Sequence, residues 1–161
     1  MADGVEYHRI ADRTYEMTLF KDFEFYLNQY SFSVSNQSKT IYEGYISLDS
    51  NTENTFARHC ESSENVEFYF KLPKNFKIPT PLGNYNPDWA VVFKGQNKVY
   101  FVAETKNTGK GIQHGVDESK LDLSEQMKIA YARKNFEYLH RDYDDLEYRV
   151  VQSIDELTEN V

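Results

Sequence analysis

The chain has 161 residues, a net charge of −8, and 40% hydrophobic and 16% aromatic residues. That length and aromatic content describe one folded domain with a real core and exclude a disordered chain. The negative charge argues against a free-standing nucleic-acid binder, because lysine and arginine dominate affinity for phosphate.

In chain order, the N-terminal "MADGVEYHRIADRTYE" is polar and carries no apolar run of a secretory signal. Residues 14–20, "TYEMTLF", and 40–48, "TIYEGYISL", have the β-branched and aromatic residues of strands. Asp49, Ser50 and Asn51 are N-cap types. The "TENTFARHCESS" that follows sets Phe56 and Cys60 one helical turn apart with Ala57 beside them, so a short amphipathic helix is expected. "VEFYFK", residues 66–71, reads as a strand, and Pro73, Pro79, Pro81 and Pro87 then punctuate an extended segment. Two strands, 88–93 and 98–105, follow around "KGQNK", whose Gly95 and Asn97 suit a hairpin loop of roughly three to five residues. Residues 107–120 are loop-like. Asp122 or Ser124 caps a helix over "SEQMKIAYARKNFEYLHR", which carries Met127, Ala130, Tyr131, Phe136 and Leu139 at helical spacing. "LEYRVVQS" closes the series as a strand.

From residue 49 the order is helix, strand, hairpin, helix, strand, which predicts an α/β or α+β domain around a mixed sheet, with 1–161 as a single domain. The longest apolar runs are about five residues against the roughly 20 that span a bilayer, so no membrane partner is expected. Cys60 is the only cysteine. It leaves no internal disulfide or multi-cysteine zinc site and fits a reducing, cytoplasmic compartment. His8, His59, His114 and His140 are too scattered to pair as metal ligands.

The chemistry concentrates in "NYNPDWAVVFKGQNKVYFVAETK". Asp88 starts one apolar run; Glu104 and Lys106 end the next. A hairpin centred on Gln96 sets Asp88 opposite Glu104 and Ala90 opposite Val102. Strand alternation puts Glu104 and Lys106 on one face, so the three residues converge at one end of that face. A one-residue slip sends one carboxylate to the other side. Like charges directly opposite repel, so the pair calls for a cation between them. Mg²⁺, which keeps several waters and shares its shell with phosphate, suits two carboxylates. Lys106 can hold a phosphate oxygen, or orient or deprotonate the attacking water. These are the parts of metal-assisted phosphodiester hydrolysis. The competing reading is a strand start and a solvated strand end, and the bare spacing does not choose between them.

"PDWAVVFKGQNKVYFVAETK" resembles the PD-(D/E)xK nuclease signature, as Pro87-Asp88 and Glu104-Thr105-Lys106. The wider segment, "YFKLPKNFKIPTPLGNYNPDWAVV…YFVAETK" with "LSEQMKIAYARKNF" downstream, resembles the C-terminal endonuclease domain of the restriction (Res) subunit of type III restriction–modification enzymes, over residues 40–153. The resemblance implies a restriction-endonuclease-like core, a central mixed β-sheet flanked by helices. It implies a Mg²⁺-dependent endodeoxyribonuclease acting on double-stranded DNA, with Asp88 and Glu104 as metal ligands and Lys106 as the catalytic lysine. Glu53, in "SNTENTFA", matches the family's helix acid and is the implied further metal ligand. Glu61 and Glu64 are its rivals, and a plain first-turn helix acid is its other reading. Glu125 and Lys128, in "SEQMKIA", match a family helix that packs near the site. Lys128, and Lys110 in the net basic stretch from Lys94, are candidate phosphate contacts; a solvated helix face is the plain reading of Lys128.

A full Res subunit also contains a helicase-like motor that hydrolyses ATP and works with a modification methyltransferase. This chain has no GxxxxGK[ST] loop, and "NTGKGIQ" lacks that spacing. ATP use and DNA recognition are therefore expected of those partners. Two other functions fit the same residues: a nuclease fold serving as a catalytically silent docking module, and another PD-(D/E)xK nuclease acting in repair or on RNA. Trp89 and the tyrosines can stack bases, although their strand and helix spacing favours core packing.

Overall fold

The computed structural model describes residues 32–104, 117–151 and 153–158, the side chains of Ala103, Glu104 and Thr158 excepted. The strand expected over 14–20 lies outside those residues, as does most of the loop expected over 107–120.

The chain begins with a two-stranded antiparallel ribbon, β1 (Phe32–Ser33) against β2 (Tyr45–Ile46). Helix α1 (Asn51–Ser62) follows. Its cap is Ser50, whose Oγ accepts from Glu53 N, while Glu53 Oε2 accepts from Asp49 N at 2.6 Å. This reciprocal pattern is a capping box displaced by one residue, and it fixes where the helix starts. Strand β3 (Val66–Lys71) occupies the expected residues. A small hairpin, β4 (Ile78–Thr80) and β5 (Gly83–Tyr85), leads to β6 (Trp89–Phe93) and β7 (Val99–Glu104). Helix α2 (Leu123–His140), capped by Asp122, precedes β8 (Leu146–Val151) and a last turn of helix, α3 (Asp155–Thr158).

The central sheet runs β3-β6-β7-β8. The pairs β3–β6 and β6–β7 are antiparallel, and β7–β8 is parallel, with α2 as the crossover that a parallel pair requires. The result is an α+β domain whose mixed sheet is flanked by helices, the layout of a restriction-endonuclease-like core. Strand β6 lies inside the sheet and is covered on both faces, which explains a continuous "WAVVF" rather than an alternating pattern.

One face of the sheet packs Tyr69, Trp89, Val91 and Val102 against Phe56, Ala57 and Cys60 of α1. The Phe56 and Trp89 rings lie 5.2 Å apart. The other face packs Ala90 with Leu72, Phe76 and Phe101, and packs Phe101 and Tyr148 against α2 and the β4–β5 hairpin. There the Phe101, Phe136 and Tyr148 rings follow one another at 4.9 and 5.2 Å. Trp89 is fully buried, and Tyr69, Tyr100 and Tyr131 are buried too, so these rings are core and not base-stacking surface.

Three sequence expectations change. Only Tyr45–Ile46 of the 40–48 stretch pairs as strand. Just ahead of it, Gly44 turns the chain at φ +91°, and Tyr42 meets the edge of β3 by its side chain, its hydroxyl donating to Lys71 O at 2.6 Å. The proline-punctuated stretch folds back as the β4–β5 hairpin, its tip closed by Gly83 at φ +103°. The buried face of α2 runs through Ile129, Ala132 and Phe136 with Tyr131, whereas Met127 and Ala130 are only half-buried. Among the described residues, no helix is long and apolar enough to cross a membrane.

Candidate active site

Asp88 sits just ahead of β6, after Pro87, which is buried. Both of its backbone groups are tied to neighbouring strands. Its N–H donates to Val102 O at 2.9 Å, and its C=O accepts from Leu72 N at 2.8 Å. Asn86 secures the approach, its Nδ2 donating to Phe76 O at 2.7 Å and to Pro87 O at 3.0 Å. A side chain on a backbone held from two sides is pre-positioned, as a functional group needs to be.

The register differs from the expected one. Trp89 stands opposite Val102 and Ala90 opposite Phe101, so the Asp88–Glu104 and Ala90–Val102 pairs are not formed. The turn explains the slip. Gln96 N donates to Phe93 O at 3.2 Å and Gly95 takes φ +74°, which closes the hairpin between Gly95 and Gln96 instead of on Gln96. Asp88 N–H and the Trp89 pairing both address Val102. Two residues facing one is the arrangement by which a β-bulge re-aims a side chain.

Glu104 is the last residue of β7 and stands beside Val151 of β8. Its side chain, and Lys106 and Lys110 altogether, lie outside the described residues. Among the described residues, no three His, Cys, Asp or Glu side chains gather as a metal-binding group.

Glu53 is placed at the same sheet end as Asp88. Its Oε2 accepts from Lys71 Nζ at 2.8 Å, and Lys71 stands opposite Trp89, one residue before the Leu72–Asp88 bond. The pair is sunk, with 13% of the Glu53 side chain and 14% of the Lys71 side chain exposed. Both the cap and the ion pair use Oε2. The rivals are elsewhere. Glu61, in the last turn of α1, holds Ser35 N and Asn36 N at 2.7 and 2.8 Å, and Glu64 is exposed just before Val66, at the far end of β3.

On the α2 side, Glu125 lies in the first turn and is exposed, and Lys128 is half-buried one turn on. Local spacing carries no sign of the tyrosine pair on which the charge of Glu125 acts. The Tyr85 and Tyr148 hydroxyls are hydrogen-bonded at 2.6 Å across 63 residues of chain. Burial, then the Tyr148 hydroxyl, then the charges of Asp88 and Glu125 push the Tyr85 phenol far above its usual range. Burial also raises Tyr148, helped by Asp88 and Glu118 and opposed by the Tyr85 hydrogen bond and Arg133. Both phenols therefore stay protonated beside Asp88 at neutral pH. Arg133 completes the neighbourhood, paired through both terminal nitrogens with the carboxylate of Glu118. Tyr85 stands three residues before Asp88, but only the fold-back of the β4–β5 hairpin brings it to Tyr148, and no local pattern encodes that meeting.

A mixed sheet of four strands between helices is the layout of a restriction-endonuclease-like core. The chain belongs to the endonuclease domain family, whose model matches residues 38–154. The resemblance read from the sequence covered 40–153, nearly the same span. Comparison with curated proteins and with solved structures gives no match.

Proposed function

We propose that the chain is the Mg²⁺-dependent DNA endonuclease domain of a type III restriction enzyme, cutting double-stranded DNA in the cytoplasm. One observation carries the reading. The signature acid, Asp88, is the residue locked by backbone bonds to both neighbouring strands, inside an endonuclease match that spans Asp88, Glu104 and Lys106.

Asp88 and Glu104 would hold the ion, with Glu53 beside them. Carboxylate oxygens are the donors Mg²⁺ takes, so the residue types fit the ion. When bound, the ion supplies charge neutralisation at the phosphate and a more acidic water. The chain's own residues do the rest. The fixed backbone of Asp88 holds its carboxylate at the sheet end. Lys106, two residues beyond Glu104, orients the water or takes its proton. A new P–O bond forms to the water oxygen as the ester P–O bond breaks, and the departing oxygen takes up a proton. Lys128 and Lys110 would hold phosphates nearby. A motor domain and a methyltransferase subunit would supply ATP hydrolysis and sequence recognition, which accommodates a net charge of −8.

The test is cleavage of supercoiled DNA, linear DNA and RNA with Mg²⁺ by the protein alone and joined to its motor and methyltransferase partners. Double-stranded DNA is the substrate expected to be cut. Lys106→Ala should slow cutting by about 10²- to 10⁴-fold, the usual worth of a positioned acid or base, and Asp88→Asn should abolish it. Undiminished cutting by either variant sinks the assignment. A melting temperature that Mg²⁺ raises in the wild type but not in Asp88→Asn separates a metal site from a silent docking module.

A further inference from the structure

We infer that Arg133 contacts a DNA backbone phosphate on the α2 side of the Asp88 site, and that Glu118 holds its guanidinium ready for it when no nucleic acid is bound. This rests on the nuclease reading and names a further residue by which an acidic domain grips its substrate.

Four observations lead there. Arg133 Nη1 donates to Glu118 Oε2 at 2.9 Å and Nη2 donates to Oε1. A fork of two parallel bonds to two oxygens is also the way arginine binds a phosphate, so the Glu118 carboxylate occupies the place of two phosphate oxygens. Second, the pair is open to solvent, with 46% of the Arg133 side chain and 31% of the Glu118 side chain exposed. Solvent screens a pair this open, and a phosphate offers the guanidinium the same fork, so exchanging the carboxylate for a phosphate costs the fold little. Third, Arg133 lies next to Ala132, whose side chain packs into the aromatic cluster of Tyr85 and Tyr148, and its charge reaches both hydroxyls. Asp88 acts on the same two hydroxyls. The charges of the guanidinium and the signature acid thus act on one hydroxyl pair. Fourth, the acids that act on that pair, Asp88, Glu118 and Glu125, repel a polyanion. A phosphate approaching Asp88 needs a cation on this side, and Arg133 supplies it. The pair then works by exchange: Glu118 gives up the guanidinium as the phosphate takes it.

The experiment measures binding of a short fluorescent DNA duplex to the full chain in EDTA, where metal-assisted cutting is blocked, across a salt series. Arg133→Gln should weaken binding about three- to tenfold and reduce the salt slope by about one, the signature of one lost phosphate contact. Arg133→Lys, which keeps the charge without the fork, should fall between. Glu118→Gln should do the opposite and tighten binding several-fold, because the competing carboxylate is gone. Unchanged affinity and slope in Arg133→Gln overturns the inference. So does equal weakening by Arg133→Gln and Glu118→Gln with a matching fall in melting temperature, which marks a purely structural pair. A wild type that binds no duplex at low salt overturns it too. The nuclease reading is scored apart from all of these, by whether Asp88→Asn loses Mg²⁺-dependent cutting.

Discussion

Among the described residues four tyrosines carry raised phenol pKa values, and the two faces of the sheet treat them differently. On the α1 face, Tyr42 donates to Lys71 O, while Tyr69 is 0% exposed and its hydroxyl has no hydrogen-bond partner among the described residues. On the α2 face, Tyr85 and Tyr148 bond to each other and border Asp88, Glu118, Glu125 and Arg133. The α1 face is a sealed apolar layer in which a polar atom is capped by backbone or left over. The α2 face carries a bonded hydroxyl pair in its core, on which the charge of Asp88 acts. A core that spends two hydroxyls on each other next to an acid is arranged for more than stability, since two phenylalanines would pack there at no cost in hydrogen bonding.

High pH gives the largest test of the burial common to both faces. Burial is the first cause of the raised pKa at all four positions, with Glu61 and Cys60 adding to it at Tyr69. The folded state then keeps protons that the unfolded chain loses above about pH 10. This stabilisation is fully present below that pH and is lost as pH rises beyond it, at about 1.4 kcal/mol per pH unit for each tyrosine. Denaturant midpoints should be flat from about pH 8 to about pH 10 and then fall steeply. If phenolate absorbance shows all 13 tyrosines ionising together while the fold persists, the burial of these four is wrong.

Substitution at the α2 pair separates the faces. Tyr148→Phe leaves the Tyr85 hydroxyl buried without its partner and should cost about 1–3 kcal/mol. Tyr85→Phe should cost about the same, and the double variant clearly less than the sum of the two, because the second change removes the orphan left by the first. Additive effects in urea unfolding would mean that the two hydroxyls do not depend on each other.

Local chemistry made much of this fold legible. Ser50 and Asp122 cap the two long helices where cap residues were visible, and "VEFYFK" is β3 because it fits a half-covered strand. Glu53, in the first turn of α1, meets the sheet end of Asp88 through Lys71, a placement that strand spacing alone does not give. What failed depended on one bond or on distant chain. The hairpin register turned on Gln96 N bonding Phe93 O, a choice that "KGQNK" leaves open. The β4–β5 hairpin was hidden because prolines read as breakers, although Pro79 sits within a short two-stranded ribbon outside the main sheet. The Tyr85–Tyr148 bond joins residues 63 apart, and the Glu118–Arg133 fork joins residues 15 apart across a helix start. Spacing rules do not reach either of them.

The smallest effect is also the sharpest, because its sign should reverse between the faces. Tyr69 packs among the rings and aliphatic side chains of the α1 layer, its ring centroid 6.4 Å from that of Trp89. Its ring is needed there; its hydroxyl has lost water and gained no hydrogen bond among the described residues. Tyr69→Phe keeps the ring, removes the unsatisfied group and should stabilise the domain by up to about 1 kcal/mol. The same one-atom deletion at Tyr148 should destabilise it. Urea midpoints of the two variants, measured side by side, decide the matter. A loss at Tyr69 would mean that its hydroxyl has a partner, such as a buried water, and that the α1 face carries a polar network of its own.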